Sequence, residues 1–209
     1  MAQTELDVEL LESLNATCRR VMERVRTTGA PADALAQAQA ALERVEALLA
    51  PHAHPGPFAQ TSYDGAAPHP DSDFSDPMAV FPYSPMVGAR NPIAPPVEFR
   101  VEDGVVRGRV CFGPLYAGPP RSVHGGVIAA VLDELLGSVN MVHGVGAFTG
   151  TLTVRYRAPT PLHEPVRLEG HQTGTEGRKS FARGAMWCGD TLTAEAEGVF
   201  IRPPEGDRD

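Results

Sequence analysis

A chain of 209 residues with a single lysine, Lys179, and a formal net charge of −8 lacks the basic footprint that a nucleic-acid partner needs. Cysteine is scarce too. Cys18, Cys111 and Cys188 lie far apart with no CxxC spacing, which argues against a zinc site and a disulfide framework and fits a reducing cytoplasm. No apolar run approaches the ~20 residues of a membrane span, and the first residues lack the basic, apolar and small-residue succession of a secretory signal. A soluble, cytoplasmic protein with no membrane partner is expected. His52, His54 and His69 have no clustered Cys or acidic residues at ligand spacing, so no metal is expected. With 42% hydrophobic residues the chain can bury a core, while its 20 Pro and 21 Gly imply that much of it is irregular. These proportions predict one domain with extensions.

Residues 1–50 hold two amphipathic stretches. Leu11, Leu14, Cys18, Val21 and Val25, then Leu35, Ala38, Leu42, Val45 and Leu49, recur at spacings of three and four, with Gly29, Pro31 and Pro51 as stops and starts. A helical hairpin is predicted, for self-association or for packing on the main domain; eight acids against five arginines oppose a DNA-reading use. Residues 51–96, with eleven prolines and no sustained periodicity, read as an extended linker partly draped over the domain, with Tyr83, Met86 and the run 91–96 available to cover an apolar groove.

Residues 97–202 read as an α+β domain. Val97, Phe99 and Val101 alternate with charges, Asp103-Gly104 offers a two-residue turn, and 106–112 returns. An apolar helix starts after His124-Gly125-Gly126, followed by β segments at 147–158, 166–174, 178–188 and 191–201. That order predicts an antiparallel sheet curling around one long central helix, with Phe148, Leu152, Val154, Tyr156, Val166, Leu168, Leu192, Ala194, Ala196 and Phe200 turned inward. Residues 203–209 form a polar tail.

On a helical wheel, Val127, Ile128, Val131, Leu132, Leu135, Leu136, Val139 and Val142 fill one half. The other half is small: Ala129, Ala130, Asp133, Gly137 and Asn140. Asp133 therefore sits where a ligand or a second chain can approach the backbone. On strand 147–158, strict alternation puts Thr149, Thr151, Thr153, Arg155 and Arg157 on a second face, with Thr149 and Arg155 roughly 20 Å apart. Residues 144–183 carry six cations against three carboxylates in a chain of net charge −8, a local basic patch suited to an anionic ligand. A Ser122-His124-Asp133 relay is excluded, because Asp133 lies roughly 13 Å along the helix from the loop.

The run HGGVIAAVLDE, the strand TGTLTVRYRAPTPL and the turn EGRKSF, spread over about 97–202, resemble the hotdog-fold acyl-CoA thioesterases of the PaaI-like (phenylacetate-type) branch of the 4-hydroxybenzoyl-CoA thioesterase superfamily. The resemblance implies an acyl-thioester hydrolase with Asp133 as general base or nucleophile, Thr149 assisting it, Gly125 donating its N–H to the thioester carbonyl and His124 orienting the site. It implies substrate contacts from Gly126, and CoA phosphates held by Arg155, Arg157, Arg178, Lys179 and Arg183, with no cofactor beyond the CoA of the substrate and a homo-oligomer, dimer or tetramer. Some relatives carry an Asn six residues before the His; here that position is Gly118. A non-catalytic acyl-CoA-binding module, which would not need Asp133, and a hotdog dehydratase or hydratase are the competing readings. Helix geometry adds its own expectation. Gly125 and Asp133, eight residues apart, are separated by roughly 12 Å along the axis, so a two-fold dimer with antiparallel helices is needed to bring one chain's Gly125 to the other's Asp133.

Overall fold

The computed structural model describes residues 6–62, 64, 76–144 and 147–203. His69 and residues 204–209 of the predicted tail lie outside them. Apolar alternation and turn chemistry produce the strands where expected. β1 (Glu98–Glu102) and β2 (Val105–Cys111) form a hairpin across Asp103 and Gly104, whose φ angles of 52° and 75° match the right-handed strand twist. β3 (Phe148–Tyr156), β4 (Pro165–Glu176), β5 (Lys179–Cys188) and β6 (Thr191–Ile201) complete one antiparallel sheet in the order β1-β2-β4-β5-β6-β3. Among the described residues, β3 is thus an edge strand that pairs only with β6.

Among the described residues, α1 (Val8–Thr27), α2 (Ala32–Leu49) and the single-turn α3 (Pro77–Val80) precede the sheet, and the long α4 (Gly125–Val142) lies across it. Ile128, Val131, Leu132, Leu135, Leu136 and Val139 of α4 are buried, as the wheel predicts. The sheet receives them with glycines and alanines. A Cβ on Gly170, Gly184 or Gly198 would meet Leu135, Val139 or Leu136 at 2.9–3.1 Å, and Ala182, Ala194 and Ala196 are buried beside them. The helix therefore settles close to the backbone of β4, β5 and β6. By length and composition α4 is apolar enough to cross a membrane; its apolar side is spent on the sheet.

Asn140 departs from the wheel. Placed with the open strip by sequence, it is buried, its Nδ2 donating to Leu136 O at 2.8 Å and its Oδ1 accepting from Ser180 of β5, whose hydroxyl accepts from Gln172 Nε2 at 3.0 Å. The curl of the sheet reaches farther around the end of α4 than the helix alone reveals, and supplies the partners a buried amide requires.

Residues 76–96 of the predicted linker are built into the domain. Asp76 caps α3 by accepting from Met78 N at 2.9 Å, and Val80, Ser84, Val87, Ala94 and Val97 are buried. α1, capped by Asp7, docks through Arg90–Glu12 at 3.1 Å and through Arg19 Nη2, which donates to Asn91 O at 3.3 Å. No residue of α2 is buried, and its stripe of Leu35, Leu42, Val45 and Leu49 faces outward.

Candidate active site

The start of α4 is fixed by the loop before it. After a 3-10 turn at Pro114–Tyr116, His124 N donates to Tyr116 O at 2.8 Å and Val123 N to Thr160 O at 2.9 Å. His124 is the N-cap, its Nδ1 accepting from Gly126 N at 2.9 Å. Gly126 thus spends its N–H inside the turn, so any substrate contact from this residue would have to come from its other atoms. The N–H of Gly125 has no partner among the described residues. It lies at the positive end of the helix dipole, where a developing oxyanion is stabilised. Gly118 presses against this turn. A Cβ there would sit 2.7 Å from His124 Cα, so the backbone has no room for a side chain at that position. Tyr156, at the end of β3, donates its hydroxyl to Gly125 O at 2.8 Å, a contact that sequence reasoning missed.

Two turns along α4, Thr149 Oγ1 donates to Asp133 Oδ1 at 2.9 Å. Strict alternation on β3 would forbid this contact, and the structure corrects it. The β3–β6 register shifts between Thr149 and Thr151, so Thr149 lies opposite the buried Phe200, on the helix side with Leu152, Val154 and Tyr156. Phe148, expected inward, points out and is 74% exposed. Thr151, Thr153 and Arg155 stay on the outer face. A bulge adds one unpaired residue and flips every side chain before it. Gly150 occupies the bulge because a Cβ there would lie 2.9 Å from Ile201 Cγ1.

Thr149 and Arg155 therefore do not share a face, and the predicted long ligand track along β3 does not exist within one chain. The outer face is a lattice of ion pairs. Arg155 and Arg183 both contact Glu197, at 3.4 and 3.2 Å, and Arg157 Nε donates to Glu195 at 3.0 Å. The local excess of positive charge counted over 144–183 is offset by two glutamates from β6, a strand outside that window. Arg178 differs. Among the described residues it has no carboxylate partner; its guanidinium donates to Arg202 O at 3.4 Å. Arg178 and Arg202, together with Phe148, Thr149, Gly150, Ile201 and Pro203, line a cavity of about 400 Å³ at the corner of the sheet nearest Asp133. Lys179 lies outward opposite Ile201, at the same corner. Arg202 is a second cation at this corner that the sequence reading left out.

Glu134, next to Asp133, is the other residue without a sequence signal. Burial pushes its carboxyl up to about 7, opposed by a hydrogen bond with the Ser84 hydroxyl and reinforced by the charge of Asp133. Ser84 comes from the segment predicted to be linker. No group of three or more His, Cys, Asp or Glu side chains suited to a metal occurs among the described residues.

An antiparallel sheet wrapped on one helix, with a free amide at the helix start and a carboxylate gripped by an edge-strand hydroxyl, defines a hotdog-fold α+β protein. The profile of the thioesterase superfamily matches residues 121–195. A crystal structure of a thioesterase superfamily protein is 32% identical and covers 91% of this chain and 90% of its own, with a TM-score of 0.77. The chain belongs to the thioesterase superfamily. It is 36% identical over 92 residues to acyl-coenzyme A thioesterase THEM4 of Xenopus laevis (43% of this chain, 41% of the relative). It is 29% identical over 92 residues to human acyl-coenzyme A thioesterase THEM5 (43% of this chain, 37% of the relative). The chain thus spans about two fifths of the length of these curated relatives.

Proposed function

We propose that the chain hydrolyses acyl-CoA thioesters to a free acid and CoA, working in the cytoplasm as a homodimer with no further cofactor. The observation that carries this reading is the 2.9 Å hydrogen bond from Thr149 to Asp133 beside the helix. A solvated surface carboxylate has no need of a dedicated hydroxyl reached across a glycine bulge. Thr149 occupies Oδ1 and leaves Oδ2 to take the proton of an attacking water. The water oxygen bonds to the thioester carbon, and the resulting oxyanion is held by the Gly125 N–H. Collapse breaks the C–S bond, and the CoA thiolate receives the proton from Asp133. A thiol with a pKa of ~8.5 leaves readily, so a modest base suffices.

Gly125 and Asp133 are roughly 12 Å apart along α4, whereas reacting groups must lie within about 3–3.5 Å. The reading therefore pairs Gly125 of one subunit with Asp133 of another. The exposed edge of β3, which has no strand beyond it among the described residues, supports association through this side of the sheet. Arg178 and Arg202, which have no carboxylate partner among the described residues, take the CoA phosphates together with Lys179, in preference to the glutamate-bound Arg155, Arg157 and Arg183. The names of the curated relatives support CoA thioesters as the substrate class, and the widely spaced, unpaired Cys18, Cys111 and Cys188 support the location. Thiol release across a panel of acyl-CoAs tests the proposal. Asp133→Asn should lower turnover by at least ~10² with the fold intact, and Thr149→Ala should cost less. A folded Asp133→Asn variant with full activity would refute the assignment, and binding without hydrolysis by the unaltered protein would make it an acyl-CoA-binding module.

A further inference from the structure

We infer that Tyr156 is a positioning residue of the oxyanion site, gripping the Gly125–Gly126 peptide so that the His124 Nε2–H stands beside the Gly125 N–H as a second donor to the thioester oxygen. The inference rests on the thioesterase reading. One peptide unit is held at both ends. Its oxygen, Gly125 O, accepts from the Tyr156 hydroxyl at 2.8 Å, and its N–H, on Gly126, donates to His124 Nδ1 at 2.9 Å. Hydrogen bonds in series polarise one another, so the tyrosine hydroxyl strengthens the bond that fixes the imidazole. A ring nitrogen that accepts carries no proton, which places the single proton of the neutral ring on Nε2. His124 is exposed and its Nε2 has no partner among the described residues.

The site has need of such a donor. Oxyanion sites stabilise charge with preorganised N–H or O–H groups, and the loss of one donor typically costs ~10²–10³ in turnover. Here Gly126 has spent its N–H and Gly118 cannot carry a side chain, which leaves Gly125 N–H as the amide of the turn with no partner among the described residues. Tyr156 is 55% exposed and its ring atoms lie 3.4–3.5 Å from where a Cβ on Gly125 would be. Its hydroxyl is therefore not needed to complete a core, and among the described residues it bonds to the peptide that orients His124.

Two variants separate positioning from structure. Tyr156→Phe keeps the ring and removes the hydroxyl; turnover should fall ~3- to 10-fold with KM and melting temperature unchanged, and the His124 ¹⁵Nδ1 and Gly126 amide proton resonances should move. His124→Asn keeps a good N-cap acceptor for Gly126 but has no Nε2–H, so the fold should persist while turnover drops by about 10². Wild-type turnover in either variant overturns the inference, as does a slowed Tyr156→Phe protein with unmoved His124 and Gly126 resonances, or one whose loss lies in KM or thermal stability. Absence of thiol release by the unaltered protein defeats the thioesterase reading and this inference with it; wild-type activity that ignores Tyr156→Phe defeats the inference alone.

Discussion

Replacing Glu134 by glutamine should make the protein more stable at alkaline pH, by an amount the structure sets. Burial raises this carboxyl from 4.5 to about 7 against the opposing hydrogen bond with Ser84, and the neighbouring Asp133 charge adds to the rise. Between those two values the unfolded chain has lost the proton and the folded chain keeps it. Stability from this group is full below the unfolded value and is lost as pH rises through the folded one. At ~1.4 kcal/mol per pKa unit, the whole interval is worth about 3 kcal/mol. Glutamine has the same shape, keeps an oxygen for the Ser84 hydroxyl and does not titrate. Urea unfolding of both proteins from pH 4 to pH 9 isolates the effect, because the other titrating groups contribute equally and cancel in the difference. That difference should move in favour of Glu134→Gln by about 3 kcal/mol, nearly all of it between pH 4 and pH 8. A difference that is flat across this range would refute the claim that the carboxyl is held neutral by burial. Ser84→Ala removes the interaction that favours the charged form, and should shift the same curve toward lower stability at pH 8.

If each site is shared across a two-fold dimer, mixing Asp133→Asn with Gly125→Pro subunits should restore about a quarter of wild-type sites, since half the random dimers are mixed and each holds one intact site. No recovery with subunit exchange confirmed would mean that each site is built within one chain; proline is acceptable at the first helical position, so the second variant should fold. Arg178→Ala should raise KM for acyl-CoA about tenfold, ~1.4 kcal/mol, whereas Arg155→Ala and Arg183→Ala, whose guanidiniums are already held by Glu197, should change it less than about twofold. Equal effects in steady-state kinetics would show that the glutamates do not matter. Gly150→Val should push on Ile201 and disturb the bulge that turns Thr149 to Asp133, lowering turnover at least as much as Thr149→Ala while the helical circular dichroism persists.

The order of elements follows from the sequence alone, because it rests on local physics. Apolar alternation marks the strands, Asp103-Gly104 meets the φ > 0 demand of a two-residue turn, and the half-wheel from Ile128 to Val139 needs a sheet to bury it. The His124-Gly125 turn and Asp133 are legible for the same reason, a helix start and an acid on a small-residue strip. Tertiary structure decided what depends on register and on distant strands. A bulge at Gly150 exchanged the faces of Phe148 and Thr149, because period-two reasoning fails once a single residue is unpaired. β6 brought Glu195 and Glu197 to arginines that a linear charge count left free, and placed Arg178 beside Arg202, with no carboxylate partner among the described residues. Segment 76–97, which has no periodicity because its turns are single and proline-rich, placed Ser84 against Glu134 and so gave a second carboxyl on α4 an environment its own helix could not foretell. Burial and partnership come from residues far away in the chain, which is why composition and spacing name the groups and only the packed sheet decides which of them meet.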